Sequence, residues 1–339
     1  MSRLRDPWLI AGVIAWAAAI ALWVQRFASL DLPHRGWLVD WHVYAAGARA
    51  LVEGNLYVAP LRSEFHMPVT SFNMPPGSAF VALPFIALPD AIGGYLWVVL
   101  NVAATGVAAL LTAWIVRARP MLLWSGLAFF LYSFALGRQL VLLGNNTPLL
   151  LMIVAGFVAA QQARLSTTAG VLLGIAIATK LWPVAFLAVV ARERSWGTAA
   201  WAIGVSGAVF AGTLLWVGGA DAIRPMISSL SYDVEIKKQI LLGITWLRHH
   251  LDWWPAWGGY AIALILLLIP ARGLIGYGLG TLAGLALIPN LWIHYLATVI
   301  FGAVLLVKGL VDWRREPDHA PQPLASPADR PTAPDAGTG

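Results

Sequence analysis

The sequence predicts an all-α integral membrane protein, a polytopic bundle of about ten spanning helices. Long uncharged runs recur along the whole chain, and only 11% of its 339 residues are charged. A soluble domain carries roughly 25% charged residues. The 18 tryptophans fit aromatic belts at the membrane interfaces and could also provide platforms on which sugars stack.

Composition also excludes several classes of function. The net charge of +6 is spread over loops without a basic block, which argues against nucleic acid as a partner. The chain has 0 cysteines, which excludes disulfides and thiol chemistry. His249 and His250 are adjacent and cannot both face one ion from a helix, so we expect no metal site and no cofactor.

Positive charges set the expected topology. Arg3 and Arg5 precede the apolar run 8–24, which we interpret as the first span because no small-residue cleavage site follows it. Both termini are then cytoplasmic, and the loops 25–76 and 218–254 are outside. The further predicted crossings are 91–116, 121–134, 149–160, 168–177, 184–190, 197–217, 260–269, 274–287 and 296–306. The apolar run 77–88 is too short to cross and should dip into the outer leaflet.

A hairpin is predicted between Arg164 and Arg192. Both arginines favour the cytoplasm, so the chain must cross an even number of times between them. Two short apolar arms, 168–177 and 184–190, are joined at Lys180. A lysine below the outer surface must face water or an anion, although a lysine that snorkels from a helix end explains the pattern equally well.

The first outer loop contains Asp40-Trp41-His42-Val43-Tyr44. We predict that Asp40 is the N-cap of a helix over 45–52, that Tyr44 lies one turn later on the same face, and that His42 points elsewhere. A turn at Gly54 then ends this helix. Spacing alone favours a purely structural interpretation, an interfacial helix with an aspartate cap, because caps are far commoner than catalytic carboxylates.

Polar groups gather at the predicted outer face. This face holds Asp40, Tyr44, Glu64, His66, Asn145, Lys180, Arg248, His249 and His294. A carboxylate can take the proton from an attacking hydroxyl, and a cation can stabilise the charge on a departing phosphate. The pattern therefore favours group transfer from a phosphate-linked donor at the outer leaflet.

Several short motifs follow one another along the chain in an order that is also found in a known protein family. They are Asp40 with Tyr44, Gly54 with Leu56 and Tyr57, Phe72 with Pro75 and Pro76, the turn at Gly144-Asn145, the run Gly170 to Gly174 followed by Lys180 and Pro183, and Trp292 with His294 and Tyr295. Together they resemble the polyprenyl-phosphate-dependent glycosyltransferases of the GT-C fold. The resemblance is strongest to glycosyltransferase family 87, the group of the mycobacterial α-(1→2)-mannosyltransferases.

The resemblance implies a GT-C helical bundle over residues 1–316. The residues after Glu316 are rich in proline, alanine and aspartate, so we expect 317–339 to be a disordered cytoplasmic tail. The resemblance also implies inverting transfer of a hexose, mannose first among the candidates, from a polyprenyl-phosphate donor to a lipid or glycan acceptor. Asp40 would be the general base and Lys180 would bind the donor phosphate. The other expected substrate-binding residues are Tyr44, Tyr57, Asn145, Arg248 and His294. The implied location is a bacterial plasma membrane, with the active site facing outside.

The motifs also depart from the family pattern. Met74 stands where tyrosine is usual, Asn145 replaces glutamine, Thr147 replaces a later asparagine, and His294 is a single histidine where two are common. Two other functions stay open at this point. One is a transporter or flippase of a lipid-linked sugar, which would place polar residues at the midplane. The other is a scaffold without catalysis.

Overall fold

A computed structural model describes residues 6–28, 38–61, 72–230, 257–288 and 295–315, without the side chains of 137–142. Within these residues every regular element is an α-helix or a short 3₁₀ segment, which confirms the all-α prediction. The predicted tail and two predicted site residues, Arg248 and His294, lie outside the described residues.

The helices are α1 Pro7–Ala28, α2 Val39–Val52, α3 Pro76–Ala82, α4 Asp90–Ile115, α5 Met121–Leu143, α6 Thr147–Gln162, α7 Ser166–Thr179, α8 Phe186–Arg192, α9 Trp196–Trp216, α10 Ile223–Leu230, α11 Gly258–Leu268, α12 Gly273–Ala286 and α13 Leu296–Arg315. Short 3₁₀ segments follow α3, α7 and α9, at Leu83–Phe85, Trp182–Ala185 and Gly219–Ala222.

Four of the described helices are long and apolar enough to cross a membrane, namely α1, α4, α9 and α13. The other predicted crossings fall on α5, whose described apolar part is Met121–Leu136, and on the shorter apolar helices α6, α7, α8, α11 and α12. The chain is therefore a multi-pass membrane protein. The total of about ten crossings stays a prediction, because a helix rises only about 1.5 Å per residue and several of these helices are short.

Helix α1 packs along α5 in the same direction. The indole of Trp16 donates to the Ser125 hydroxyl over 3.1 Å, and that of Trp23 donates to Ser133 over 2.8 Å. The residue numbers rise together on both helices, so the two helices are parallel and another helix must return between them. That helix is α4, whose first turns lie against the end of α1 through the stacked rings of Phe27 and Tyr95.

Helix α5 ends later than predicted. It continues to Leu143 rather than ending near Phe134, so Arg138 and Gln139 lie inside the helix and the predicted boundary was wrong. The two polar residues do not break the helix, because both are compatible with helical backbone. The chain reverses at Gly144, whose φ of +65° is left-handed and disfavoured for residues with a side chain.

The predicted hairpin around Lys180 is present. Helices α7 and α9 are parallel neighbours, because Gly170 lies against Trp201 and Gly174 against Val205. The chain between two parallel helices must run back along the bundle, and the 3₁₀ segment with α8 does this. Helix α12 lies antiparallel to that return, with Gly284 beside Trp182 and Gly276 beside Val189.

Helix α2 begins earlier than predicted, at Val39. Its N-cap is Leu38, no side chain caps it, and Asp40 lies in its first turn. The prediction of Asp40 as the N-cap of a helix over 45–52 was therefore wrong. Buried packing of Trp41, Val43 and Tyr44 extends the helix toward its N-terminus.

The end of the bundle opposite α2 is held by a polar network around Glu193. The Glu193 carboxylate accepts hydrogen bonds from the Tyr277 hydroxyl and from the backbone N–H of Gly273, at the start of α12. Gln161, at the end of α6, donates to the Ser195 hydroxyl over 2.7 Å. These contacts bring the ends of α6, α8 and α12 together.

Candidate active site

The predicted site residues Asp40, Tyr44, Asn145 and Lys180 meet at one end of the bundle. Asp40 and Tyr44 lie on α2, Asn145 lies in the turn between α5 and α6, and Lys180 follows α7. The interactions described below connect these elements. The sequence prediction that they share one face of the protein is consistent with this arrangement.

The carboxylate of Asp40 is oriented by Asn145. The Asn145 side-chain amide donates to Asp40 Oδ2 over 2.6 Å. Asn145 Oδ1 accepts from the backbone N–H of Thr147 over 2.9 Å and from its hydroxyl over 2.6 Å. Because a backbone N–H can only donate, the Asn145 oxygen must face Thr147 and its NH₂ group must face Asp40. The Asp40 carboxylate is therefore held through one oxygen by an amide of defined orientation.

Opposing effects act on the charge of Asp40. Burial raises the pKa of the Asp40 carboxyl above its ordinary value, because the ionised form loses solvation. The hydrogen bond from Asn145 and the positive charge of Lys180 both lower this pKa, and the net shift is upward. A carboxylate with a raised pKa is a stronger base than an ordinary aspartate.

The turn that carries Asn145 is pressed against α2. A Cβ atom on Gly144 would lie 3.0 Å from Trp41 Cβ and 3.1 Å from a methyl group of Leu38. The Gly144 carbonyl accepts a hydrogen bond of 2.6 Å from the Trp97 indole. Glycine is therefore needed here for close approach as well as for backbone conformation, and the approach brings Asn145 to Asp40.

The backbone two residues before Asp40 is strained. Leu38 is fully buried and has φ 54° and ψ 41°, the left-handed region that a leucine rarely adopts. Its side chain fits against Gly94 and Gly144. Such outliers persist where surrounding packing enforces them, and they are common at functional sites.

A chain of buried hydrogen bonds continues from α2 toward α7. The Tyr44 hydroxyl donates to Asn146 Oδ1 over 3.2 Å, and the Asn146 amide donates to the Ser78 hydroxyl over 3.2 Å. Ser78 in turn donates to the backbone carbonyl of Thr179 over 2.7 Å. Tyr44, Asn146 and Ser78 are each 0% exposed, so water does not compete for these bonds.

Tyr44 is held as a neutral hydroxyl. Burial raises the pKa of Tyr44 well above its usual range, and the negative charge of Asp40 and the nearby Tyr295 raise it further. Tyr295 is 5% exposed and immediately precedes α13. Tyr44 thus stays a hydrogen-bond donor throughout the physiological pH range.

Lys180 ends α7 in extended conformation, with φ −145° and ψ 140°. Its backbone N–H completes the last helical bond, to the Ala176 carbonyl over 2.9 Å. Its side chain is half-buried, and its charge acts on Asp40. The predicted non-helical joint in the hairpin is therefore confirmed.

Tyr57 is not brought to Asp40. Its hydroxyl donates to the Met74 carbonyl over 2.9 Å, and its ring packs on Phe72 with centroids 5.9 Å apart. Both rings belong to a second apolar cluster between α2, α3 and the end of α9. Burial raises the pKa of Tyr57, so this residue also stays neutral.

Sequence reasoning assigned no site role to four polar residues next to the predicted ones: Ser78, Asn146, Thr147 and Thr179. The roles of Ser78 and Asn146 depend on partners that lie on other elements, and a sequence does not show those contacts. A usable signal was the pair Asn145-Asn146 at the start of an apolar helix, since two adjacent buried amides need partners on opposite sides. Among the described residues, no group of three His, Cys, Asp or Glu side chains could hold a metal ion.

The model of glycosyltransferase family 87 matches residues 72–307, well over half of the 339-residue chain. The chain belongs to glycosyltransferase family 87. The expected family membership is confirmed. The matched region holds Ser78, the Asn145-Asn146 turn and Lys180, whereas Asp40, Tyr44 and Tyr57 precede it.

No curated protein matches the family 87 chain. Among solved structures, a crystal structure of ArnT from Cupriavidus metallidurans bound to undecaprenyl phosphate is similar, with 16% sequence identity and a TM-score of 0.43. The similarity covers 88% of this chain and 60% of that one. The family 87 chain thus spans less than two thirds of the length of that relative.

Proposed function

We propose that this family 87 chain is a GT-C glycosyltransferase that moves a hexose from a polyprenyl-phosphate donor to a lipid or glycan acceptor at the outer face of the membrane. Mannose is the first sugar to test. A half-buried carboxylate with a raised pKa, acted on by a lysine charge, is the observation that carries this function.

The two charged groups suit the two ends of the reaction. Asp40 accepts the proton from the acceptor hydroxyl while that oxygen bonds to the anomeric carbon. The bond from the anomeric carbon to the phosphate oxygen breaks, and its electron pair leaves with the phosphate. The Lys180 ammonium stabilises the added negative charge. Attack opposite the leaving phosphate inverts the anomeric centre.

Several residues keep only part of their predicted roles in this proposal. Asn145 orients Asp40, and contact with substrate is proposed for it in addition. Tyr44 is fully buried, so it would shape the sugar pocket indirectly, through its hydrogen bond to Asn146. Tyr57 would act at a distance, by supporting the segment that leads into α3. Arg248 and His294 are kept as proposed substrate-binding residues on the strength of the sequence resemblance.

The transporter alternative is not carried further. The family is one of glycosyltransferases. The charged side chains of the described residues also gather toward the two ends of the bundle rather than at mid-helix positions. A transporter of charged substrates would place such groups near the midplane.

The function is tested by transfer of radiolabelled mannose from polyprenyl-phosphate-mannose into a lipid extract by the purified protein. Asp40→Asn keeps the size of the side chain and removes the base, and should lower the rate by about 10²- to 10⁴-fold. Asp221→Asn is the matched control, since Asp221 is an exposed carboxylate beyond α9, and it should transfer like wild type.

Full transfer by a correctly folded Asp40→Asn protein would remove Asp40 as the base. If wild type transfers no mannose, the same assay with other polyprenyl-phosphate hexoses separates a wrong sugar from a wrong reaction. Failure with all of them would contradict the proposed function.

A further inference from the structure

We infer that Asn146 and Ser78 are positioning residues that set the distance between the Asp40 carboxylate and the Lys180 ammonium. This inference rests on the proposed function for its consequence, but its geometry stands independently. Asp40 lies on α2 and Lys180 follows α7, and these two helices are far apart in the sequence. Contacts between other residues must therefore keep the two helices at a defined distance.

The hydrogen-bond chain provides a continuous connection. It starts at Tyr44, one helical turn after Asp40, and passes through Asn146 and Ser78 to the carbonyl of Thr179, the residue before Lys180. All donors point the same way along it, from hydroxyl to amide to hydroxyl to carbonyl. Each group therefore satisfies the next, and none of the linking hydrogen bonds competes with another.

The adjacent amides of Asn145 and Asn146 form hydrogen bonds with different partners. Asn145 holds the carboxylate of Asp40, while Asn146 holds Tyr44 on the same helix and Ser78 on α3. One turn therefore carries both the hydrogen bond to Asp40 and the connection toward Lys180. Movement of that turn would change the two together.

The contact between α3 and α7 is also unusually close. A Cβ atom on Gly77 would lie 2.5 Å from the Ala178 carbonyl oxygen and 2.8 Å from the Thr179 nitrogen. The last carbonyls of a helix lack intrahelical donors, and Ser78 supplies one to Thr179. The start of α3 thus docks on the end of α7 and determines where Lys180 leaves the helix.

The first test is independent of any transfer reaction. Trace labelling of the Lys180 amine with acetic anhydride, read by mass spectrometry, reports how exposed the amine is. In Ser78→Ala the end of α7 is released, and the labelling rate should rise about threefold to tenfold, the size expected from one lost hydrogen bond. An unchanged rate would overturn the inference.

Ser206→Ala is the matched control. Ser206 is a buried serine on α9 whose hydroxyl donates over 2.7 Å to the Ala202 carbonyl of its own helix. It removes the same atom without connecting two elements, so Lys180 should label as in wild type. An equal rise in both variants would show general loosening of the protein and would also overturn the inference.

The second test measures binding of undecaprenyl phosphate to the purified full chain. Ser78→Ala should weaken binding about threefold to tenfold. In the Lys180→Ala background, Ser78→Ala should have no further effect, because a positioning residue acts only through the group it positions. Additive losses would show that Ser78 acts independently of Lys180, against the inference.

The two tests separate the possible failures. If wild type does not bind undecaprenyl phosphate, the proposed donor is wrong, and the labelling experiment still decides the role of Ser78. If binding is present and labelling does not respond to Ser78→Ala, the donor stands and the positioning role is refuted.

Discussion

Asn145 shows how a single amide can act on the protonation of a carboxylate. Its two ends are distinguished by Thr147, so its donor side must face Asp40. This hydrogen bond favours the ionised carboxylate, whereas burial favours the protonated one. The pKa of Asp40 therefore reflects a balance between burial, which raises it, and the hydrogen bond from the uncharged Asn145 amide, which lowers it.

Removing that amide should change the pH profile of transfer. In Asn145→Ala the carboxylate loses the bond that lowers its pKa, so the pKa of Asp40 rises. Because the base works only when ionised, the acidic limb of the rate profile should move to higher pH. A plot of the transfer rate against pH for both proteins measures this shift.

Asn101→Ala provides the control for that shift. Asn101 is a fully buried asparagine on α4 whose amide donates over 2.8 Å to the Trp97 carbonyl of its own helix. Its loss should leave the acidic limb in place. If the acidic limb of the rate profile does not move in Asn145→Ala either, the hydrogen bond from Asn145 does not control the pKa of Asp40.

At the scale of elements, three helices end in the same uncommon way. Arg117, Arg164 and Arg194 follow α4, α6 and α8 with φ between 52° and 60°. Each turn has the paired backbone bonds of a glycine-type cap, such as Ser195 N–H to the Val190 carbonyl over 3.1 Å. Arginine is an unfavourable residue in this conformation, so each of these turns carries backbone strain.

Arg194→Gly should therefore stabilise the protein. Glycine adopts a left-handed φ freely, and the expected gain is about 1 kcal/mol in the free energy of unfolding. Arg192→Gly loses the same charge within the last turn of α8 and should be destabilising by about 1 kcal/mol. Thermal unfolding of both variants in detergent gives the comparison, and equal effects would contradict the assignment of strain to Arg194.

Elements were predicted best where periodic apolar runs were long. The first span, α4 and α9 were located to within a few residues, since apolar length alone identifies them. The start of α2 and the end of α5 were not, because tertiary packing of Trp41 and Tyr44 and the turn at Gly144 decide them. The local preference of aspartate for N-cap positions predicted a helix that starts after Asp40. Burial of the neighbouring side chains instead favours a helix that starts at Val39.

The site residues likewise fall into those that the sequence could predict and those that only tertiary packing reveals. Asp40, Tyr44, Asn145 and Lys180 could be singled out because charged and polar groups are rare in this chain and because their order resembles a family. Ser78 and Asn146 could not, because their importance comes from partners about 70 to 100 positions away in the sequence. Tyr57 was grouped with the site by order alone, and packing places it in another cluster.

At the scale of the whole molecule, the two ends differ in charge. Asp40 and Lys180 lie at one end with the start of α4, which is tied to α2 by an ion pair between Arg49 and Asp90. The opposite end carries the arginine turns and the ends of several further helices. Its described arginines are Arg117, Arg119, Arg164, Arg192, Arg194, Arg272, Arg314 and Arg315. By the positive-inside rule that end is expected to be cytoplasmic.

This orientation can be measured directly, because the natural chain has 0 cysteines. Leu165→Cys introduces a thiol at an arginine turn, where Leu165 is 54% exposed. Asp221→Cys introduces one at the Asp40 end, after α9. A membrane-impermeant maleimide should label Asp221→Cys in intact bacterial cells and Leu165→Cys only after permeabilisation. The reverse pattern would place the site on the cytoplasmic side.

The link between Tyr44 and Lys180 consists of two hydroxyls, an amide and a carbonyl. None of these groups ionises between about pH 5 and pH 9, because burial and Asp40 raise the pKa of Tyr44. The spacing of the two charged residues is therefore insensitive to acidity even though the base itself is not. With Asp40 as the base of the proposed transfer, acidification would slow transfer reversibly while the spacing of Asp40 and Lys180 stayed unchanged.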